Sequence, residues 1–206
     1  MIKISKIALD KSHALVDNYH EEISWIGFCT LDEQYNITIH DIYCPENQTT
    51  SAALVTITHE GDNELIDWEE EMRAQYGNGS CKAWFHSHVN MSAAPSGTDN
   101  DTLKKLSKGQ PYYIRVIMNK KKDVHITISA FGFEAKVDSF NTENNNEYTE
   151  WAKEIIKKII NNQPKTVNNF NYGVRQSSLP LFQYEEDDWY SSQPAYKYNF
   201  KTKRTK

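Results

Sequence analysis

The stretch AWFHSHVNMSAAPSGTDND, residues 83–101, sets His86 and His88 one residue apart and follows them with Ser96 and Asp99 in a loop of small side chains. Residues two apart on a strand point to the same face, so both imidazoles can be offered to one point in space. Zinc in a hydrolytic site takes three protein ligands and keeps a fourth position for water. Asp99 can return as the third ligand. Pro95 and Gly97 turn the chain, and the small residues around them let the backbone come close to an ion. Ser96 can hydrogen-bond the oxyanion of a tetrahedral intermediate. The same letters also spell a strand running into an ordinary helix start, with Thr98 as the cap and Asp101 closing a capping box.

Strands and helices must bring these groups together, and the pattern supplies both. Residues 9–20 read as a short helix with Leu9, Ala14, Leu15 and Tyr19 on one side. Two β-rich runs, 23–30 and 35–43, are separated by LDEQ and read as a hairpin, with 52–58 as a further strand. Residues 62–76 carry Leu65, Trp68, Met72 and Tyr76 at helical spacing and end at Gly77 and Gly79. A buried strand over 81–88, a helix over 99–107 and two strands, 112–118 and 124–131, joined by the basic turn NKKKD, complete the expectation. The class is α/β. At Asn141 the composition changes to the polar run NTENNNE. Beyond it, Tyr148, Trp151, Ala152, Ile155, Ile156, Ile159 and Ile160 form one apolar stripe on a helix that ends near Pro164. That stripe either docks back on the domain or, through residues 148–160, meets a partner or a second copy. The remaining tail carries an acidic run, several aromatics and a basic end, and is expected to be loosely ordered or partner-dependent.

Composition narrows the function. A chain of 206 residues with 38% hydrophobic and 25% charged content has enough apolar material for a real core. A net charge of -5 argues against nucleic acid, whose phosphates need a basic face. No apolar run is long enough to span a membrane, and MIKISKIALDKSH lacks the core of a signal peptide, so a cytoplasmic protein is expected. Cys29, Cys44 and Cys81 have no CxxC spacing and read as reduced core thiols. His59-Glu60 lacks the second histidine of HExxH, and His13, His20, His40 and His125 have no ligand companion at useful spacing.

Taken together, His86-Ser87-His88, seven residues, Ser96, two residues and Asp99 resemble the signature of the JAMM (MPN-plus) metalloproteases of prokaryotic and viral type. That family places a glutamate far upstream, and Glu22-Ile23-Ser24-Trp25-Ile26-Gly27 is similar to its Glu-Val-Ser-Gly-hydrophobic-Gly segment. Trp25 departs from the glycine of that pattern and is expected to narrow the cleft or alter substrate entry. The resemblance covers residues 1–140, and 141–206 form a linker, an amphipathic helix and a tail outside it.

The resemblance implies a curved mixed sheet flanked by helices, with Zn2+ held by His86, His88 and Asp99. It makes Glu22, rather than Glu21, the general base that takes a proton from water and passes it to the leaving amine. Ser96 would steady the oxyanion, and Ser87 would face away from the metal. The implied activity is a zinc-dependent peptidase or isopeptidase, deubiquitinase-like, cutting at the C-terminus of ubiquitin or a ubiquitin-like protein. Two alternatives stand beside it: a protease processing a viral or phage polypeptide, and an MPN scaffold that only assembles partners.

Overall fold

The computed structural model describes residues 1–50, 55–57, 62–131, 133–141 and 146–163. Residues 142–145 of the polar run, His59-Glu60, and the tail from Pro164 lie outside the described residues. The elements in chain order are β1 (Ile2–Ile4), α1 (Lys6–Asn18), β2 (Ser24–Leu31), β3 (Ile37–Tyr43), β4 (Gln48–Thr50), β5 (Val55–Ile57), α2 (Asp62–Tyr76), β6 (Gly79–Ser87), α3 (Gly97–Leu106), β7 (Tyr112–Met118), β8 (Asp123–Ala130), β9 (Phe133–Asn141) and α4 (Thr149–Asn162).

Seven strands form one mixed sheet in the order β1-β3-β2-β6-β7-β8-β9, and β4 and β5 pair as a separate ribbon. The pairs β1–β3 and β6–β7 are parallel, and the others are antiparallel. The class is α/β. Strand β6 is central, and its alternation sorts two layers. Ala83 and Phe85 join Trp25, Ile39, Val116 and Ile126 in a core that α1 closes with Ala8, Ala14 and Leu15. Trp84 and His86 point to the opposite face, because side chains alternate along a strand. On that face Phe28 meets Trp68 of α2 edge-on at 6.4 Å, and Leu103 of α3 is fully buried.

Helix α4 docks on the first layer. Ala152, Ile156 and Ile159 are part of the same core as α1, with Tyr148, Trp151 and Ile155 packed at its margin. Ile160, at the edge of the stripe, stays half exposed. Lys11 of α1 fixes the crossing: its ammonium lies 5.7 Å from the ring centre of Tyr148 and 5.4 Å from that of Trp151 while pairing with Asp41 at 2.8 Å.

Three local expectations change. Helix α3 begins at Gly97, not Asp99, because Ser96 and not Thr98 is its cap, and Asp99 rather than Asp101 closes the box. Trp25 does not line a cleft: it is fully buried, stacks on Phe85 at 5.6 Å and donates its indole N–H to Ser12 Oγ at 2.9 Å. Strands β1 and β9 have no counterpart in the expectation, since IKI is short and FEAKVDSFN carries charges on an edge strand, where alternation need not follow burial.

Gly27 shows why the segment after Glu22 needs glycine at that place. A β-carbon there would lie 2.8 Å from the Phe85 ring and 2.9 Å from Ile39. The close approach of β2 to its two neighbours depends on its absence.

Candidate metal centre

The C-terminal end of β6 meets the N-terminal end of β2, and the register sets Ser24 opposite His86. Ser87 then binds Ile23 twice: its N–H donates to the Ile23 carbonyl at 3.0 Å, and its Oγ accepts the Ile23 N–H at 2.9 Å. Ser87 thus belongs to the backbone ladder, with its hydroxyl oxygen turned toward Ile23. The residues just before this clamp, Glu22 and His86, come side by side, with Glu22 Oε2 3.5 Å from His86 Nε2. Glu21 goes elsewhere, accepting hydrogen bonds from Tyr19 Oη at 3.0 Å and Thr50 Oγ1 at 2.7 Å.

His88 lies one residue past the end of β6, yet its N–H still bonds the Met118 carbonyl at 2.8 Å. Its ring stands perpendicular to that of His86, with the centres 5.0 Å apart. His88 Nδ1 donates to the Ser92 carbonyl at 2.7 Å. A carbonyl only accepts, so Nδ1 carries a proton, and Nε2 is the nitrogen left facing inward toward Asp99. His86 is oriented differently, by stacking on Trp84 at 5.5 Å, and its Nδ1 has no hydrogen-bond partner among the described residues.

Asp99 enters from α3. One oxygen lies 3.6 Å from His86 Nε2 and the other 3.2 Å from His88 Nε2. The same carboxylate accepts the Ser96 N–H at 2.6 Å, while Ser96 Oγ accepts the Asp99 N–H at 3.2 Å. This capping box locks the rotamer of Asp99. Because Ser96 Oγ accepts in that bond, its own proton remains available for donation. The helix-start motif and the candidate ligand are therefore one arrangement, since Asp99 caps and faces the histidines at once.

Glu22, His86, His88 and Asp99 are all buried. The donor atoms of Glu22, His86 and His88 lie within 4.8 Å of one another, a group that could hold a metal ion. The nitrogen–oxygen separations of 3.2 to 3.6 Å are long for hydrogen bonds. They gather three carboxylate oxygens, Glu22 Oε2, Asp99 Oδ1 and Asp99 Oδ2, around the two imidazole nitrogens. Imidazole nitrogen and carboxylate oxygen are donors that divalent transition-metal ions accept.

The two carboxylates differ in charge state. Burial, with Asp99 adding repulsion, overcomes the attraction of His88 and pushes Glu22 up to about 7. Burial also works against the charge on Asp99, but the hydrogen bond from His88, the proximity of His86 and the bonds from Ser96 outweigh it and hold Asp99 well below the usual carboxylate range. Burial lowers His86 to about 4 and keeps it neutral. For His88 burial is again the largest influence and acts downward, but the contacts with Asp99, Ser92 and Glu22 reverse it, and the net direction is up.

No family model and no curated protein matches this chain. Among solved structures, it is similar to the solution structure of protein DSY2949 from Desulfitobacterium hafniense, at 17% sequence identity and a TM-score of 0.48, covering 72% of this chain and 97% of that one.

The sequence reading passed over Arg115. It is buried on β7, opposite Trp84 in the ladder, and donates to Asn100 Oδ1 at 2.9 Å and Thr127 Oγ1 at 3.0 Å. It thereby supports the first turn of α3 from beneath. The alternating run YYIRVIM marks a lone cation at a core position, which was the signal available. Cys29 and Cys44 fit their reading as core thiols, and burial pushes Cys29 up to about 12, while Cys81 is half-buried outside that core. Among the described residues no helix is long and apolar enough to cross a membrane.

Proposed function

We propose that this chain is a zinc-dependent peptidase or isopeptidase of JAMM (MPN-plus) type, acting on a peptide or isopeptide bond, with the C-terminus of ubiquitin or a ubiquitin-like protein as the leading substrate. The observation that carries the reading is the convergence of both histidine Nε2 atoms on the Glu22 and Asp99 carboxylates at 3.2 to 3.6 Å, all four side chains being buried. His86, His88 and Asp99 would hold the ion. When bound, zinc supplies Lewis acidity, which polarises a scissile carbonyl and makes water a stronger acid.

The chain's own residues divide the remaining work by their charge states, since two carboxylates pushed apart in pKa mark two roles. Asp99, locked by Ser96 and kept ionised, serves as a fixed anionic ligand. Glu22, buried with its Oε2 3.5 Å from His86 Nε2, is placed to take the proton of the attacking water and return it to the leaving amine nitrogen. Ser96 has a hydroxyl proton to give to a developing oxyanion. A non-catalytic scaffold has no use for a buried glutamate gathered with two histidines.

Elemental analysis of the purified full chain tests the site. One zinc per chain is expected, with a strong drop in occupancy for His86→Ala and for Asp99→Ala. Stoichiometric metal that survives loss of both His86 and His88 would refute it.

A further inference from the structure

We propose that Asn119, in the turn between β7 and β8, is a positioning residue for the metal ligand His88. The inference rests on the metal-centre reading above and extends it to a residue 31 positions further along the chain.

The loop that follows His88 is under local strain. Val89 adopts φ +42°, in the left-handed region that a β-branched side chain strongly disfavours. Such a conformation persists only where the surroundings over-determine it. Here they do. The N–H of His88 bonds the Met118 carbonyl at 2.8 Å, the Val89 carbonyl accepts the Lys120 N–H at 2.7 Å, and the Met91 N–H returns to the His88 carbonyl at 2.6 Å. Strand β7 and its turn therefore grip the loop on both sides of the strained residue.

Asn119 completes the grip. It is fully buried. Its Oδ1 accepts the N–H groups of Lys121 and Asp123, both at 3.0 Å, which shapes the turn. Its Nδ2 reaches out of the turn to donate to the Met91 carbonyl at 2.9 Å, and also to Asp123 Oδ2 at 2.9 Å. Met91 is followed by Ser92, whose carbonyl accepts from His88 Nδ1. The order of forces is thus Asn119 to Met91, Met91 to the placement of the Ser92 carbonyl, and that carbonyl to the tautomer and tilt of the His88 ring. Without the Nδ2 bond, the Met91 carbonyl loses its partner and the loop has a route to relax the Val89 strain, carrying the Ser92 carbonyl away from His88.

The two halves of the amide separate the turn from the clamp. Asn119→Asp keeps an oxygen acceptor for the turn but removes the donor to Met91, and Asp123→Asn, made with it, removes the new like-charge contact. The expected result for the double variant is a metal-free protein that melts lower than wild type but still cooperatively, and a zinc affinity, by chelator competition below its melting range, lower by about 10- to 100-fold, the usual effect of losing an outer-shell partner. Asp123→Asn alone should bind zinc as wild type does, and cobalt-substituted double variant should show an altered visible spectrum. A folded double variant with wild-type zinc affinity and cobalt spectrum would overturn the role of Asn119. A wild-type chain that takes up no zinc would instead defeat the metal centre itself, and the clamp with it.

Discussion

Ser87 Oγ accepts the N–H of Ile23 at 2.9 Å, so the residue between the two histidines ties their strand to the segment that carries Glu22. Ile23 is fully buried, and its amide has no water to turn to. Ser87→Ala is therefore expected to cost about 1 to 3 kcal/mol, the penalty for a buried donor left unmade. Ser87→Thr, which keeps the hydroxyl, should recover most of it. Urea unfolding of the two variants checks this, and an alanine variant as stable as wild type would mean that the bond is replaceable.

Glu22→Gln and Glu21→Gln, adjacent in sequence, should behave differently. The amide at 22 is isosteric and leaves His86, His88 and Asp99 in place, so zinc content and fold should persist while turnover falls. General-base assistance is typically worth about 10²- to 10⁴-fold. Glu21 faces Tyr19 and Thr50, so Glu21→Gln should leave zinc content and rate near wild type. Cleavage of a panel of isopeptide-linked conjugates and linear peptides, with zinc measured on the same samples, compares them. A dead Glu21→Gln beside an active Glu22→Gln would reverse the assignment.

The metal-free protein should show the cost of burying Glu22 in its pH dependence. The folded carboxyl titrates at about 7 against an ordinary value of 4.5, so between these values the folded chain keeps a proton that the unfolded chain has released. Its contribution is fully present below 4.5 and is lost as pH rises through 7. His86, lowered to about 4 from 6.5, has the opposite sign: the unfolded chain keeps the extra proton, and stability falls as pH drops through that window. Comparing Glu22→Gln with wild type cancels the His86 contribution, to whose shift Glu22 does not contribute. The variant's advantage should grow from pH 4.5 to above 7, reaching about 3 kcal/mol at ~1.4 kcal/mol per unit. A gap in melting temperature that stays constant across that range would count against the buried carboxyl.

Helix α4 should behave as part of the core. Ile159 is fully buried against it, and Ile159→Ala is expected to destabilise the whole molecule by about 2 to 5 kcal/mol. Ile160→Ala, at a half-exposed position, should cost well under half of that. Chemical unfolding monitored at tryptophan should show a single transition for both variants. A separate early transition for Ile159→Ala would mean that the helix unfolds by itself.

Spacing along the chain was enough to mark His86, His88, Ser96 and Asp99 as candidates, because a strand's period of two and a short turn are local geometry, written in consecutive letters. The α/β class and the apolar stripe of α4 were legible for the same reason: burial on one side of an element repeats with that element's own period. The sequence could not say that Asp99 both caps α3 and faces the histidines, because Thr98 and Asp101 make an equally good local box and only the packing of α3 on β7 chooses between them. Nor could it place Trp25 under α1, beside Phe85 and Ser12, since its direction depends on which face of β2 the first helix covers. Glu22 meets His86, and Asn119 reaches Met91, only through the antiparallel β2–β6 ladder and the parallel β6–β7 ladder. Those registers are set by long-range packing, where a slip of one residue would turn every side chain to the other face.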